Sequence, residues 1–515
     1  MGFSLACARW GPRDKDVIQG VVATETIVRE NGEGGGSRFL VGLLLVLSVV
    51  VYVAGFVHLR ADFPNGSPWN DWSKMTDEGW YGGGAIHHFV QGSWYLPDSF
   101  NPAVAMPVWP VMLAGWFSVT GVSMVAARVL TMLLYGASLV LLYRLVRLAV
   151  PGARVLAALA VLLTVLNPFC YAFDRLAVLE PVTVFWMMMA LWLAAERGGW
   201  VRDLLLGVMI FLLVLTKVTG VALVPAVLYL AGASWGWSRV WERWSRNFLW
   251  AVPLVSWMAY QHFFVSRYYL ADYRLLFSIN AYRVHLSIVP RMAWVTLKDG
   301  LWIQPVLFPL AMVIVVLSVV WLRELWRVPL FGAVVIAIFG HLAYVGYHTN
   351  FQPRYYLVIA LPMVMVIVLG LAAIRERRVV WARRVVQLAV LAAVVMMVVR
   401  TWNYVTRPQY SFLQAAQSIA AVIRADGSTK PLLSDSGDDI TLMTGVPAIA
   451  EAYQVHGLDA LLKRYQPGWY AAWPGWEDPA IKAVGQRYKL DEVARYRVFD
   501  DPARQTLVLY KLTPR

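Results

Sequence analysis

The sequence predicts a polytopic α-helical membrane protein with about eleven transmembrane helices and a small α/β domain at its C-terminus. Of the 515 residues, 59% are hydrophobic and only 15% are charged, whereas a soluble protein carries about a quarter charged residues. Many apolar segments approach the roughly 20 residues that cross a bilayer. The predicted crossings are 39–57, 125–146, 154–172, 181–196, 203–217, 219–235, 248–265, 306–322, 329–346, 355–373 and 385–402.

The basic residues predict the orientation. The net charge is +14, but the arginines concentrate in short links between apolar segments, which is typical of cytoplasmic loops and gives no indication of a nucleic-acid partner. Counting crossings from a cytoplasmic N-terminus places all of these links on the cytoplasmic side. They are 144–154, 197–202, 239–246, 323–327 and 375–384.

One apolar segment is excluded from the crossings. Met106 to Thr120 is short and contains Pro107 and Pro110 near its start, so it is predicted to lie on the outer surface. Eleven crossings then place the C-terminus outside.

The chain divides into three predicted regions. Residues 1–37 are a flexible cytoplasmic tail, because they lack the early apolar core of a signal peptide. Residues 38–404 form the transmembrane region, with a long outer loop at 58–124. Residues 405–515 form the soluble outer domain, in which alternating apolar residues near 505–510 predict a strand.

Two adjacent carboxylates, Asp77 and Glu78, occupy the outer loop shortly after the first crossing. A charge beside hydrocarbon is costly, which favours a functional role. An acid at the mouth of a membrane cleft can bind a cation or take a proton from a substrate. Further short motifs follow along the chain: Trp94-Tyr95-Leu96-Pro97, Ala127-Arg128, Arg175 to Pro181, Thr216-Lys217 and Gln352 to Tyr356.

Together with Asp77, Glu78 and Tyr81, these motifs resemble the GT-C fold membrane glycosyltransferases, in the subgroup of protein O-mannosyltransferases and lipid A aminoarabinose transferases. The resemblance implies an inverting transfer of a sugar from a polyprenyl-phosphate donor to a hydroxyl of a glycan, lipid or protein acceptor. It implies cell-envelope glycosylation at the outer face of a bacterial inner (plasma) membrane. One departure concerns Ala105-Met106-Pro107, where the aminoarabinose subgroup has a Lys-Pro-Pro run that contacts phosphate.

The chemistry agrees with this resemblance. Phosphate is a good leaving group, with a second pKa of about 6, so no protein acid must protonate it. The site needs positive charge near the phosphate and a base near the acceptor hydroxyl.

The resemblance gives the acids a catalytic role. Asp77 is the predicted base or a metal ligand, with a helix N-cap as its alternative. Glu78 either assists catalysis or favours the helix N-terminus. Glu180 is the third catalytic candidate, and its alternative is a structural ion pair with Arg175.

The predicted substrate-binding residues are Arg354, Arg175, Tyr81 and Lys217. A guanidinium suits a lipid phosphate by bidentate contact, although Arg354 and Lys217 could instead extend towards the membrane interface. Asp77 and Glu180 are the ligands if a divalent metal ion is the cofactor. The histidines at 87 and 88 are better interpreted as interfacial or hydrogen-bonded.

The aromatic residues and a second class of function complete the predictions. Most tryptophans belong to an interfacial belt, but Trp69, Trp72 and Trp80 near the acids could stack on a sugar. In the tail, Trp469, Trp473 and Trp476 could face the acceptor. The alternative function is a transporter or flippase of lipid-linked sugars. Such a protein would more often carry charges deep within its helices.

Overall fold

The computed structural model describes residues 35–196, 198–246, 255–259, 262, 267–280, 286–347, 352–451, 457–499 and 504–515. Nearly all of the predicted tail 1–37 and most of the predicted crossing 248–265 lie outside these residues.

Helices account for most of the described chain. They are α1 (Gly35–Ala54), α2 (Asp77–Gln91), α3 (Val108–Thr120), α4 (Met124–Ala149), α5 (Arg154–Val165), α6 (Pro168–Asp174), α7 (Leu179–Ala195), α8 (Trp200–Thr216), α9 (Val224–Trp235), α10 (Trp237–Arg246), α11 (Arg267–Asn280), α12 (Val289–Asp299), α13 (Leu307–Val320), α14 (Pro329–Tyr347), α15 (Leu357–Glu376), α16 (Val380–Thr406), α17 (Ser411–Ala425), α18 (Gly437–Thr444), α19 (Gly457–Tyr465) and α20 (Asp478–Arg487). Short 3₁₀-helices are Trp72–Lys74, Pro102–Val104, Val218–Leu223, Leu286–Ile288, Gly300–Trp302, Arg323–Arg327 and Pro353–Tyr356.

The protein is an integral membrane protein. Six of the described helices are long and apolar enough to cross a membrane, and the number rises to seven if α5 and α6 count as one bent span. This is fewer than the eleven crossings predicted. Two of the predicted crossings correspond to the shorter apolar helices α7 and α13, whose length hydropathy alone does not show. Helix α3 has only 13 residues, too few to cross a bilayer as a helix.

The break between α5 and α6 has a local cause. Asn167 accepts a hydrogen bond on its side chain from the Phe169 backbone N–H, and Pro168 follows it at the first helical position. A capping residue followed by proline starts a new helix rather than continuing the old one. The two helix axes are bent by 65°, and the bend lies within the crossing predicted at 154–172.

The helical region is built around α15. All residues from Pro353 to Ile374 are buried, whereas only 6% of the most apolar part of the first span is buried. A helix that is apolar on all sides is stable either in lipid or inside protein. Here α15 occupies the centre of the bundle, and α1 lies at its periphery with one side turned outward. The residue that precedes this central helix by only a few positions, Arg354, therefore has a rigid support.

The C-terminal region forms a small sheet with helices. Its strands are β1 (Leu432–Leu433), β2 (Ala448–Ile449), β3 (Trp469–Ala472), β4 (Tyr488–Arg497) and β5 (Thr506–Pro514). Their order is β2-β1-β3-β5-β4, with β1 parallel to β2 and β3 and with β5 antiparallel to β3 and β4. The strand predicted near 505–510 is confirmed by β5.

This domain packs directly on α2. The backbone N–H of Gly79 donates to Asp439 Oδ2 at 3.1 Å, and His87 Nε2 lies 2.8 Å from Asp438 Oδ1. The Gln91 side-chain amide donates to the Ala448 carbonyl at 3.0 Å. The helix that begins at Asp77 is therefore held along its length by the C-terminal domain as well as by the membrane bundle.

The orientation remains a prediction with a direct test. We expect the link 375–384 in the cytoplasm and the chain after about 405 outside, because basic loops are retained on the cytoplasmic side. An engineered cysteine at exposed Val493 should react with a membrane-impermeant maleimide in intact cells, whereas one at exposed Arg378 should react only after permeabilisation. The opposite pattern would contradict the orientation.

Candidate active site

Asp77 is the first residue of α2, and its carboxylate faces protein rather than its own helix. Thr76 is the N-cap residue and makes no side-chain capping bond. Asp77 Oδ2 lies 2.6 Å from Arg354 Nη2 instead, with both side chains buried. The structure therefore contradicts the alternative in which Asp77 is the helix N-cap residue.

Arg354 is the centre of a buried charged cluster. Its Nη1 pairs with Asp71 Oδ1, and its backbone N–H donates to Asp71 Oδ2 at 3.0 Å. Its Nε lies 3.4 Å from Glu180 Oε1, and its Nη2 donates to the Tyr81 hydroxyl at 3.4 Å. The side chain is only 2% exposed. Such burial and pairing contradict the interfacial alternative, in which Arg354 extends towards lipid headgroups.

Lys217 supplies the second positive charge. Helix α8 ends at Thr216, Lys217 is extended, and a 3₁₀-helix follows, so the break in the helix directs this side chain into the bundle. Lys217 Nζ pairs with Glu180 Oε1 and lies 3.8 Å from the centroid of the Tyr355 ring. A cation over an aromatic face is attracted by the ring electrons. The Glu180 partners are therefore Lys217 and Arg354, not Arg175.

The cluster gives two of its carboxylates different proton affinities. Burial alone would raise the pKa of Asp71, but the Arg354 guanidinium and backbone N–H groups hold this pKa below its ordinary value. Burial raises the pKa of Asp77 to about 6, against the lowering effect of Arg354 and with help from the negative charges of Asp71 and Glu180. Asp71 is a permanent counter-ion, whereas Asp77 can exchange a proton near neutral pH.

The cluster also has unused hydrogen-bonding capacity. Its three carboxylates, Asp71, Asp77 and Glu180, face two cations, Arg354 and Lys217. Within the described part of the chain, Glu180 Oε2 is buried without a hydrogen-bond partner. Buried polar atoms are usually satisfied, and exceptions concentrate at functional sites. This geometry is suited to an incoming polar substrate.

Comparison with known proteins gives the family of folds. Residues 102–261 match the dolichyl-phosphate-mannose-protein mannosyltransferase family. ArnT from Cupriavidus metallidurans in the apo state matches with a TM-score of 0.59 and 14% identity, over 91% of this chain and 98% of that one. The apo oligosaccharyltransferase of Archaeoglobus fulgidus matches with a TM-score of 0.51 and 12% identity, over 92% of this chain and 74% of that one. The fold is the GT-C fold.

A second structure of the same GT-C protein carries a ligand. ArnT from Cupriavidus metallidurans bound to undecaprenyl phosphate matches with a TM-score of 0.59 and 15% identity, over 91% of this chain and 98% of that one. No curated protein sequence matches the chain. The GT-C fold predicted from the short motifs is confirmed.

Two predicted site residues, Glu78 and Arg175, contact residues outside the Arg354 cluster. Glu78 accepts two hydrogen bonds from Arg128 Nε, at 2.8 and 2.9 Å, and one from the Ala177 backbone N–H at 3.0 Å. Arg175 Nη1 donates to the Tyr171 hydroxyl at 3.0 Å, and its Nη2 donates to the His58 carbonyl. Both side chains tie the outer loop to the bundle and stand beside the Arg354 cluster rather than in it.

The predicted metal site is not assembled by these residues. No three His, Cys, Asp or Glu side chains gather around a possible ion in the described ranges. Asp77 and Glu180 each contact a basic side chain, which disfavours a cation between them. The divalent metal ion stays a prediction. Of the two histidines, His87 is buried against Asp438, and His88 is exposed beside Phe89 and Trp94.

Two residues of the Arg354 cluster were not predicted to be site residues. Asp71 lies in a loop between Trp69 and Trp72 among other polar residues, so no sequence pattern distinguishes it. Tyr355 was recognised in a motif, but its ring lies between Lys217 and Arg354, which only the three-dimensional structure reveals.

Proposed function

We propose that the protein is an inverting glycosyltransferase that transfers a sugar from a polyprenyl-phosphate donor to an acceptor hydroxyl at the outer face of the membrane. The observation that carries this proposal is the buried cluster in which Arg354 and Lys217 adjoin Asp77, a carboxyl with a pKa of about 6. Positive charge and a base are the two requirements of transfer from a sugar phosphate.

Arg354 and Lys217 are the proposed phosphate ligands. The guanidinium has five N–H donors in a fixed plane and suits two phosphate oxygens, while the ammonium acts as a point charge. Arg354 lies in the short 3₁₀-helix that precedes α15, and Lys217 directly follows the end of α8, where a lipid held in the bilayer can present its headgroup. In ArnT the bound lipid is undecaprenyl phosphate, and the shared fold supports a donor of that class here.

Asp77 is the proposed base. The acceptor oxygen attacks the anomeric carbon, the bond between that carbon and the phosphate oxygen breaks, and the phosphate leaves with the electron pair. The proton of the acceptor hydroxyl passes to Asp77. A phosphate that binds Arg354 competes with Asp77 for Nη2, so donor binding itself releases the carboxylate to accept the proton.

Glu180 and Asp71 have supporting roles in this proposal. Asp71 fixes the guanidinium through its side chain and through the Arg354 backbone N–H. Glu180 fixes Lys217 and leaves one carboxylate oxygen unbonded, which is available to a hydroxyl of the sugar. Groups held in place before the substrate binds need no rearrangement during the reaction.

The phosphate contact gives the first test of activity. In purified protein with a synthetic polyprenyl-phosphate sugar, Arg354→Lys should reduce kcat/KM by about tenfold or more, because an ammonium cannot keep the bidentate geometry. Thermal unfolding should show that the variant is folded.

Arg377→Lys is the matched control. Arg377 forms a bidentate pair with Glu324 on the surface, at 2.6 and 2.7 Å. It forms no part of the Arg354 cluster, so the kcat/KM of Arg377→Lys should equal that of wild type. Equal kcat/KM for wild type and Arg354→Lys would remove Arg354 from the donor site.

A further inference from the structure

Trp476 is an exposed aromatic residue of the C-terminal domain. It is 44% exposed, although its neighbour Trp473 is fully buried in the domain core. A single exposed apolar side chain is common on protein surfaces, so the significance of Trp476 depends on the residues around it.

The turn that carries Trp476 is firmly built. Gly475 has a φ of +84°, a conformation that favours glycine, and its N–H donates to Asp478 Oδ1 at 2.7 Å. The backbone N–H of Trp473 donates to Glu477 Oε2 at 3.1 Å, and the Trp473 indole N–H donates to Ser436 Oγ at 3.0 Å. The position of the Trp476 backbone is thus fixed by bonds on both sides.

Two further side chains orient the Trp476 ring. The Arg504 guanidinium lies over it at 4.1 Å from the ring centroid, and Trp72 meets it nearly edge-on, with 6.3 Å between centroids and 76° between planes. Arg504 also reaches Asn70 of the outer loop, at 3.5 Å. The aromatic pair therefore joins the C-terminal domain to the loop that contributes to the charged cluster.

Trp72 connects the tryptophan pair to the Arg354 cluster. Trp72 directly follows Asp71, the counter-ion of Arg354, and the Trp72 backbone N–H donates to Gln352 Oε1 at 3.1 Å. Trp476 therefore contacts the same loop that supplies the counter-ion of Arg354.

We propose that Trp476 and Trp72 form a binding site for a sugar ring of the acceptor, so that the acceptor is a glycan or glycolipid rather than an unglycosylated peptide. A pyranose has an apolar face of C–H groups that packs on an indole ring, and its hydroxyls suit nearby polar groups. Rigid tryptophans bind at low entropic cost because few torsions are lost. The acceptor role rests on the proposed function, whereas sugar binding itself does not.

Saturation-transfer NMR on the full-length detergent-purified protein tests the binding site without requiring catalysis. Methyl α-mannoside, methyl α-glucoside and methyl β-galactoside serve as probes. Trp476→Ala should weaken the transfer signal of at least one probe by about five- to tenfold, and Trp476→Phe should retain most of it. The control Trp402→Ala removes another exposed tryptophan, from α16, and should leave the signal unchanged. Equal signals for wild type and Trp476→Ala would overturn the site.

A kinetic measurement then tests the assignment to the acceptor. With the bound methyl glycoside as acceptor and a synthetic polyprenyl-phosphate sugar as donor, Trp476→Ala should raise the acceptor KM about fivefold and leave the donor KM unchanged. A rise in the donor KM alone would overturn the acceptor assignment. A protein that binds the glycoside through Trp476 but transfers no sugar, even with Asp77 intact, would contradict the proposed function and leave the sugar site standing.

Discussion

Asp77→Asn is expected to be folded and nearly inactive. Asparagine has the size of aspartate and keeps a carbonyl oxygen for Arg354 Nη2, which lies 2.6 Å from the present carboxylate. It cannot accept a proton from the acceptor. Loss of a general base reduces the rate by about 10² to 10⁴, and this reduction should be seen in sugar transfer from a synthetic polyprenyl-phosphate donor. Thermal unfolding, recorded alongside, should change little.

The pH profile separates this role from a structural one. Burial raises the pKa of Asp77 to about 6, so the carboxyl is mostly protonated below that pH and cannot act as a base. The wild-type kcat/KM should therefore rise with pH through about 6 and level off above it. Asp77→Asn should lack this rise.

The matched control is Asp459→Asn, which removes an exposed carboxylate paired with Lys463 and Arg487. It should keep both the rate and the pH profile of the wild type. Full activity in Asp77→Asn would refute the proposed mechanism while leaving the fold assignment intact.

Gly79→Ala should separate the C-terminal domain from α2. A methyl group at residue 79 would lie 2.2 Å from the backbone carbon of Asp438 and from the backbone nitrogen of Asp439. These are main-chain atoms, so no side-chain rotation relieves the overlap. Overpacking of this kind typically destabilises by about 1–3 kcal/mol. We expect a lower Tm, faster proteolysis near residue 405 and at least a tenfold loss of transfer.

Gly115→Ala is the control for this substitution. Gly115 lies within α3, and a methyl group there would meet no atom within 4 Å. Alanine favours helix over glycine by about 1 kcal/mol, so this variant should be as stable as wild type or slightly more so. If Gly79→Ala behaves like Gly115→Ala, the close approach of the domain to α2 is not required in solution.

Sequence patterns indicated many of the residues in the charged cluster but not their pairing. Asp77, Tyr81, Glu180, Lys217 and Arg354 each stand next to an apolar segment, and the structure gathers all five. Their partners depend on contacts between distant parts of the chain. Glu180 meets Lys217 because α8 ends at that residue, whereas Arg175, only five positions from Glu180, bonds to Tyr171 and a backbone carbonyl. Proximity in sequence was therefore a poor guide to ion pairing.

The C-terminal domain shows the same difference between local and long-range information. Period-two alternation predicted the strand that became β5, because alternation is a local property. The contact of Gly79 with Asp439 joins residues 360 positions apart, and no local pattern encodes it. Within the described residues, helix length supports six or seven of the eleven predicted crossings. Hydropathy registers apolar composition and does not reveal the bend at Asn167 and Pro168.

The contacts of the outer loop with the C-terminal domain have a consequence for biogenesis. Asp62 accepts hydrogen bonds from the backbone N–H groups of Phe412 and Leu413, at 2.8 and 3.2 Å, and Gly79 donates to Asp439. The ribosome synthesises this loop before it reaches these partners. The helix that carries Asp77 therefore acquires this support only after the C-terminal domain has been synthesised, so the charged cluster reaches its final arrangement late in biogenesis.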